Sequence, residues 1–109
     1  MKVHYVDQLL AEAGILGGET FFLAQPDRTY AAWGEEISAD GSDYDNEIRS
    51  HNITIELYEL MDAPDPSAHV RLQAVLDQHA LPWHKSVRMI EVSLRLFYTT
   101  YEFEFLKRR

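Results

Sequence analysis

Residues 48–60, IRSHNITIELYEL, alternate strictly. His51, Ile53, Ile55 and Leu57 share one parity, and Asn52, Thr54, Glu56 and Tyr58 share the other. A period of two is that of a strand with one buried and one wet face. Residues 29–38, TYAAWGEEIS, read as a second strand with Trp33 and Ile37 on one parity. Together, 29–60 form a long hairpin whose tip is the acidic stretch 39–47, ADGSDYDNE. The period changes elsewhere. Val6, Leu9, Leu10 and Ala13 recur at helical spacing over 3–13, and Gly14 is placed to end that helix. A second helix follows Asp65 as N-cap and Pro66 at the first position, with Ala68, Leu72, Val75, Leu76 and His79 as its apolar stripe. Pro82 stops it.

Beyond Pro82, WHKSVRMIEV and SLRLFYTTYEFEFL supply two more strands with a turn near 91–93. The expected order is α-β-β-α-β-β: an α+β fold with a four-stranded antiparallel sheet and two helices packed on it. The expected core includes Ile53, Ile55, Leu57, Leu72, Val75, Leu76, Phe103 and Phe105. Around Gly17-Gly18 and Pro26-Asp27 a loop is expected. Within it Phe21, Phe22 and Leu23 read equally as a short buried strand or an apolar plug. In the last strand, Leu94, Leu96 and Tyr98 are apolar opposite Phe97, whereas from Thr99 onward only the odd parity stays apolar. Helices covering one end of the sheet would produce this switch, as would a bulge near 98–100.

The 109 residues suit one domain spanning 1–109. No apolar run is long enough for a membrane helix, and Asp7 and Glu12 interrupt the opening segment where a signal peptide would be apolar. A cytoplasmic site of synthesis fits. Without cysteine, disulfides, thiolate metal sites and a cysteine nucleophile are excluded. The net charge of −8 sets eighteen acids against ten basic residues, whose one cluster is Lys107-Arg108-Arg109. A broad nucleic-acid surface needs the opposite balance.

Glu102 and Glu104 alternate with Tyr101, Phe103 and Phe105, so a strand sets them on one face about 6.5–7 Å apart. That spacing is near that of the carboxylates of an inverting glycosidase. A general acid, however, needs an apolar pocket and a partner across a substrate gap. Two neighbours on one exposed face have neither, and they read as a wet face. Asp40, Asp43, Asp45 and Glu47 offer oxygen ligands, but the glycine falls second instead of sixth and the EF-hand order fails. They read as a solvated hairpin loop. His4, His51, His69, His79 and His84 form no H-x-x-x-H or H-E-x-x-H pair. Neither a G-x-S-x-G motif nor a glycine-rich phosphate loop occurs. No enzyme, cofactor or metal is expected; a hydrolase using the His51/Glu56 region is the weakest reading.

The phrases HNITIELYEL, HALPWHKS and MIEVSLRLFYTTYEFEF, with a helix opened by Asp-Pro between the first two and a basic end, carry a resemblance. Over about residues 3–108 the chain resembles the small siphophage and prophage tail-completion, or tail terminator-like, proteins. The resemblance implies an α+β subunit of a ring, typically six-fold, at the head-proximal end of the tail tube. Its partners would be further copies of itself, the tail-tube protein and a head-completion or connector protein, with neither specific nucleic-acid binding nor a membrane. The protein would pass from the host cytoplasm into the virion neck. Glu102 and Glu104 would then face the lumen or rim, Leu94, Leu96 and Tyr98 would supply a candidate subunit interface, and Asp40, Asp43, Tyr44, Asp45 and Glu47 a candidate assembly loop. The rival is a small acidic binding module, inhibitor- or antitoxin-like, acting by protein–protein contact.

Overall fold

The computed structural model describes residues 4–19, 26–39 and 48–108. In chain order the elements are α1 (Tyr5–Glu12), β1 (Leu16–Glu19), β2 (Tyr30–Ala39), β3 (Ile48–Leu60), α2 (Pro66–Gln78), β4 (Trp83–Lys85), β5 (Met89–Glu91) and β6 (Leu96–Arg108). The candidate assembly loop, Asp40, Asp43, Tyr44, Asp45 and Glu47, lies outside the described residues, as do Phe21, Phe22 and Leu23.

Both helices form where the periodicity places them. Asp65 caps α2 by accepting from the Ala68 N–H, and Pro66 fills the first turn, where a missing donor costs nothing. The α1 cap is a histidine: His4 Nδ1 accepts the Val6 N–H at 3.0 Å. Gly14, at φ +70°, closes that helix in the left-handed region. Val6, Leu9 and Leu10 of α1 and Ala68, Leu72 and Leu76 of α2 pack on one face of the sheet. That face presents Ala31 and Trp33 of β2, Ile53, Ile55 and Leu57 of β3, and Tyr101 and Phe103 of β6. The expected core side chains are buried, Phe105 only partly, where it packs against Tyr5.

The α+β class stands, but the four-stranded antiparallel sheet with order α-β-β-α-β-β does not form. Six strands make one mixed sheet, ordered β1-β2-β3-β6-β4 with β5 also on β6. Two features account for the difference. Residues 16–19, read as a loop because of Gly17-Gly18, pair in parallel with β2, Leu16 opposite Tyr30 and Glu19 opposite Trp33. A Cβ at Gly17 would come within 2.4 Å of Leu10 Cδ1. Glycine therefore lets α1 lie close against this edge. The second cause is a break in the strand expected over 83–92. Ser86 uses its backbone N–H to donate to the Thr100 carbonyl, while its Oγ accepts the Thr100 N–H. A side chain replaces a carbonyl in the ladder, and residues 86–88 leave it. Outside β6 there remain two three-residue strands, β4 and β5.

The hairpin of β2 and β3 forms in continuous register from Tyr30 opposite Tyr58 to Ala39 opposite Arg49. β6 runs antiparallel along all of β3, from Ile48 opposite Arg108 to Leu60 opposite Leu96. Its turn from β5 sits at 92–95, with Arg95 at φ +55° and its N–H on the Val92 carbonyl. The last strand thus starts at Leu96, later than its apolar pattern suggests.

Candidate functional site

The outer edge formed by β4, the 86–88 break, β5 and the following turn is the most unusual surface of the molecule. Nine large apolar side chains stand exposed among the described residues. Five of them, Val87, Met89, Ile90, Val92 and Leu94, fall between positions 87 and 94. Val87 and Val92 are 76% and 74% exposed, more than any other of the nine. Among the described residues, β4 and β5 pair on one side only, with β6. An open strand edge carrying clustered apolar side chains invites another chain. Arg88 stacks over the Phe97 ring at 4.2 Å, and Lys85 stands exposed at the near side of the break.

Behind this edge lies a buried polar chain that sequence reasoning missed. Glu59 is wholly buried; its carboxylate accepts the Asp65 N–H and meets His69 Nε2, both at 2.8 Å. His69 Nδ1 lies 2.7 Å from the Tyr101 hydroxyl, which accepts from Gln73 Nε2 at 2.9 Å. With the His69 proton on Nε2 and the phenol donating to Nδ1, every donor in the chain has an acceptor. The order carboxylate–histidine–hydroxyl is that of a nucleophile triad. Here it works otherwise. Tyr101 is fully buried, and burial raises its pKa, the opposing Gln73 hydrogen bond notwithstanding and the Glu59 charge adding to the rise. A sealed phenol held protonated is a tie between α2, β3 and β6.

At the other end of the helix-covered face, Glu35 receives His4 Nε2 at 2.9 Å and His51 Nδ1 at 2.6 Å. His4 lies tilted against Trp33, ring centroids 4.2 Å apart, and His51 stacks on Phe105, while Trp33 Nε1 donates to Asp7. Burial alone would raise the Glu35 pKa, but the hydrogen bonds from His51 and His4, with their charge, bring it below its ordinary 4.5. A carboxylate whose folded pKa is depressed stabilises the fold above its unfolded pKa, and that contribution is lost as the pH falls through the folded value. Below pH 4.5, therefore, wild type should lose more stability than Glu35→Gln. Urea midpoints at about pH 7 and about pH 3 measure this; equal losses in the two proteins would remove the role assigned to Glu35. His51 and Glu56 point to opposite faces, so they cannot share a site. Among the described residues no group of three or more His, Asp or Glu is arranged to hold a metal ion.

The remaining expected site residues divide. Glu102 and Glu104 are exposed, opposite Thr54 and Asn52 on the face turned away from α1 and α2. Glu36 and Glu56 share that face, giving four acids over neighbouring rows. Of the candidate interface, Leu96 is fully buried within the subunit, Tyr98 is half-buried beside Tyr58, and Leu94 lies exposed in the turn. Tyr30, Tyr58 and Tyr98 form a row across this face. The Tyr58 pKa is raised by burial first and by the adjacent Glu56 second. No protein-family model matches the chain, and no curated protein matches it.

Proposed function

We propose that this protein is a structural assembly subunit that joins further copies of itself through the β4–β5 edge into a closed ring, as the tail terminator-like resemblance implies for the head–tail joining region of a siphophage-type particle. The observation that carries the reading is the exposed apolar stretch 87–94 on an open strand edge. The opposite edge of the same sheet, β1, has exposed Leu16 and acidic Glu19. One edge offers apolar side chains with Lys85 and Arg88; the other offers an apolar side chain with a carboxylate. Two unlike, complementary edges favour head-to-tail contacts, which close a ring when the rotation between copies permits. Glu36, Glu56, Glu102 and Glu104 would then line a passage that repels phosphate, a field summed over many charges. Tail-tube and head-completion proteins are the further partners of this reading.

The four-acid face also favours a second reading, a binding module for a basic partner. Sedimentation across a concentration series separates the two. Wild type should associate as concentration rises, and Ile90→Lys should stay monomeric with folding stability within about 0.5 kcal/mol of wild type. Glu102→Gln/Glu104→Gln should associate as wild type does. If Ile90→Lys associates normally, or if wild type stays monomeric throughout, the ring reading fails.

A further inference from the structure

The break in the outer strand opens a cavity of about 470 Å³ lined by His69, Lys85, Ser86, Val87, Arg88 and Thr99. Its lining is anomalous for this chain. Acids outnumber basic residues nearly two to one, yet among the described residues no carboxylate lines the cavity and two cations do. Arg71 and Arg95 are held by partners elsewhere. Lys85 and Arg88, in contrast, make no ion pair among the described residues. Thr99 adds a second unmet demand: it is 2% exposed, and its Oγ1 has no hydrogen-bond partner among the described residues. A buried hydroxyl without a partner costs about 1–3 kcal/mol. Two cations lining one cavity likewise repel unless a counter-charge sits between them.

We propose that this cavity is a binding site for a small oxyanion of the phosphate class. Each lining group suits that ligand. Lys85 brings a rotatable ammonium with three donors, and Arg88 a planar fork with one face over the Phe97 ring. The Thr99 hydroxyl, by rotation about χ1, can turn its donor toward the cavity. Ser86 is already committed, its Oγ donating to the Val87 carbonyl and accepting from the Thr100 N–H, so it fixes the break that separates Lys85 from Arg88. Both ring nitrogens of His69 are engaged by Glu59 and Tyr101, which makes it a fixed wall.

The site does not rest on the assembly reading, and the test keeps them apart. Calorimetric titration and thermal melts with sodium phosphate, at ionic strength matched with sodium chloride, are run on wild type and on the monomeric Ile90→Lys variant. Both should show saturable phosphate binding and a phosphate-dependent rise in Tm. Lys85→Gln and Arg88→Gln, changes at exposed side chains, should each weaken binding about tenfold or more, as loss of a charged hydrogen bond does. Thr99→Val gives the sharpest result: a higher Tm without phosphate, because the unmet hydroxyl is gone, and weaker phosphate binding. Binding in wild type that vanishes in Ile90→Lys would mean the anion belongs to a contact between copies, and the proposal would fall. Equal Tm shifts with phosphate and chloride, or unchanged affinity in Lys85→Gln and Arg88→Gln, would overturn it too.

Discussion

Phe103→Ala is expected to destabilise the fold by about 3–5 kcal/mol, a large fraction of the total for a domain of this size. Phe103 is 3% exposed and sits in β6 between Ile53 of β3 and Trp83 of β4. Its ring therefore closes the core where the central strand meets the outer one. Truncation leaves a cavity bounded on both sides by hydrogen-bonded strands, which limits collapse. Chemical denaturation followed by tryptophan fluorescence measures the change. A variant within about 1 kcal/mol of wild type would mean that this packing is not what holds β4 to β6.

Glu59→Ala should cost a similar amount, about 2–6 kcal/mol, for a different reason. The carboxylate is sealed at the end of β3, and its removal strands both the Asp65 N–H at the start of α2 and His69 Nε2. The damage is in the groups left unpaired, so replacing both partners by apolar residues should cost less than removing one. Glu59→Leu/His69→Leu is expected to recover part of the stability lost in Glu59→Ala, by the same denaturation measurement. If the double variant is the less stable, the penalty lies in lost packing and not in orphaned polar groups.

How far the pattern of residues foretold these features depends on whether the cause was local. Helix α2 was legible because Asp65, Pro66 and the stripe from Ala68 to Leu76 all act within the helix itself. The β2–β3 hairpin was legible from the alternation of β3. β1 was not, because its two glycines carry no strand signal and its reason for being glycine, the nearness of Leu10, is tertiary. The division of β4 from β5 turns on one serine side chain entering the ladder, which no period reveals. Glu59 could have been found: it shares parity with Ile53, Ile55 and Leu57, and an inward glutamate demands a partner. His69 was present in the sequence, but only the fold brings it there. The outer edge was half legible, since Val87, Met89, Ile90, Val92 and Leu94 occupy both parities in a chain with too few helices to cover both faces.

The place of β6 in the sheet has a consequence for how quickly the chain can find its fold. The strand that follows all the others in sequence is the one that β3, β4 and β5 all pair with. Its longest ladder joins Ile48 to Arg108 and Leu60 to Leu96, so loops of several dozen residues must close before most of the sheet's hydrogen bonds exist. Local pieces such as α2 and the β2–β3 hairpin can flicker into being early, but neither has its core until residues 96–108 arrive between them and the outer strands. Refolding should accordingly be slow for a chain of this length, in the millisecond-to-second range typical of non-local pairing. Until then the apolar 87–94 stretch and both long edges lie open together, which makes the interval before β6 docks the moment when neighbouring chains are most prone to aggregate.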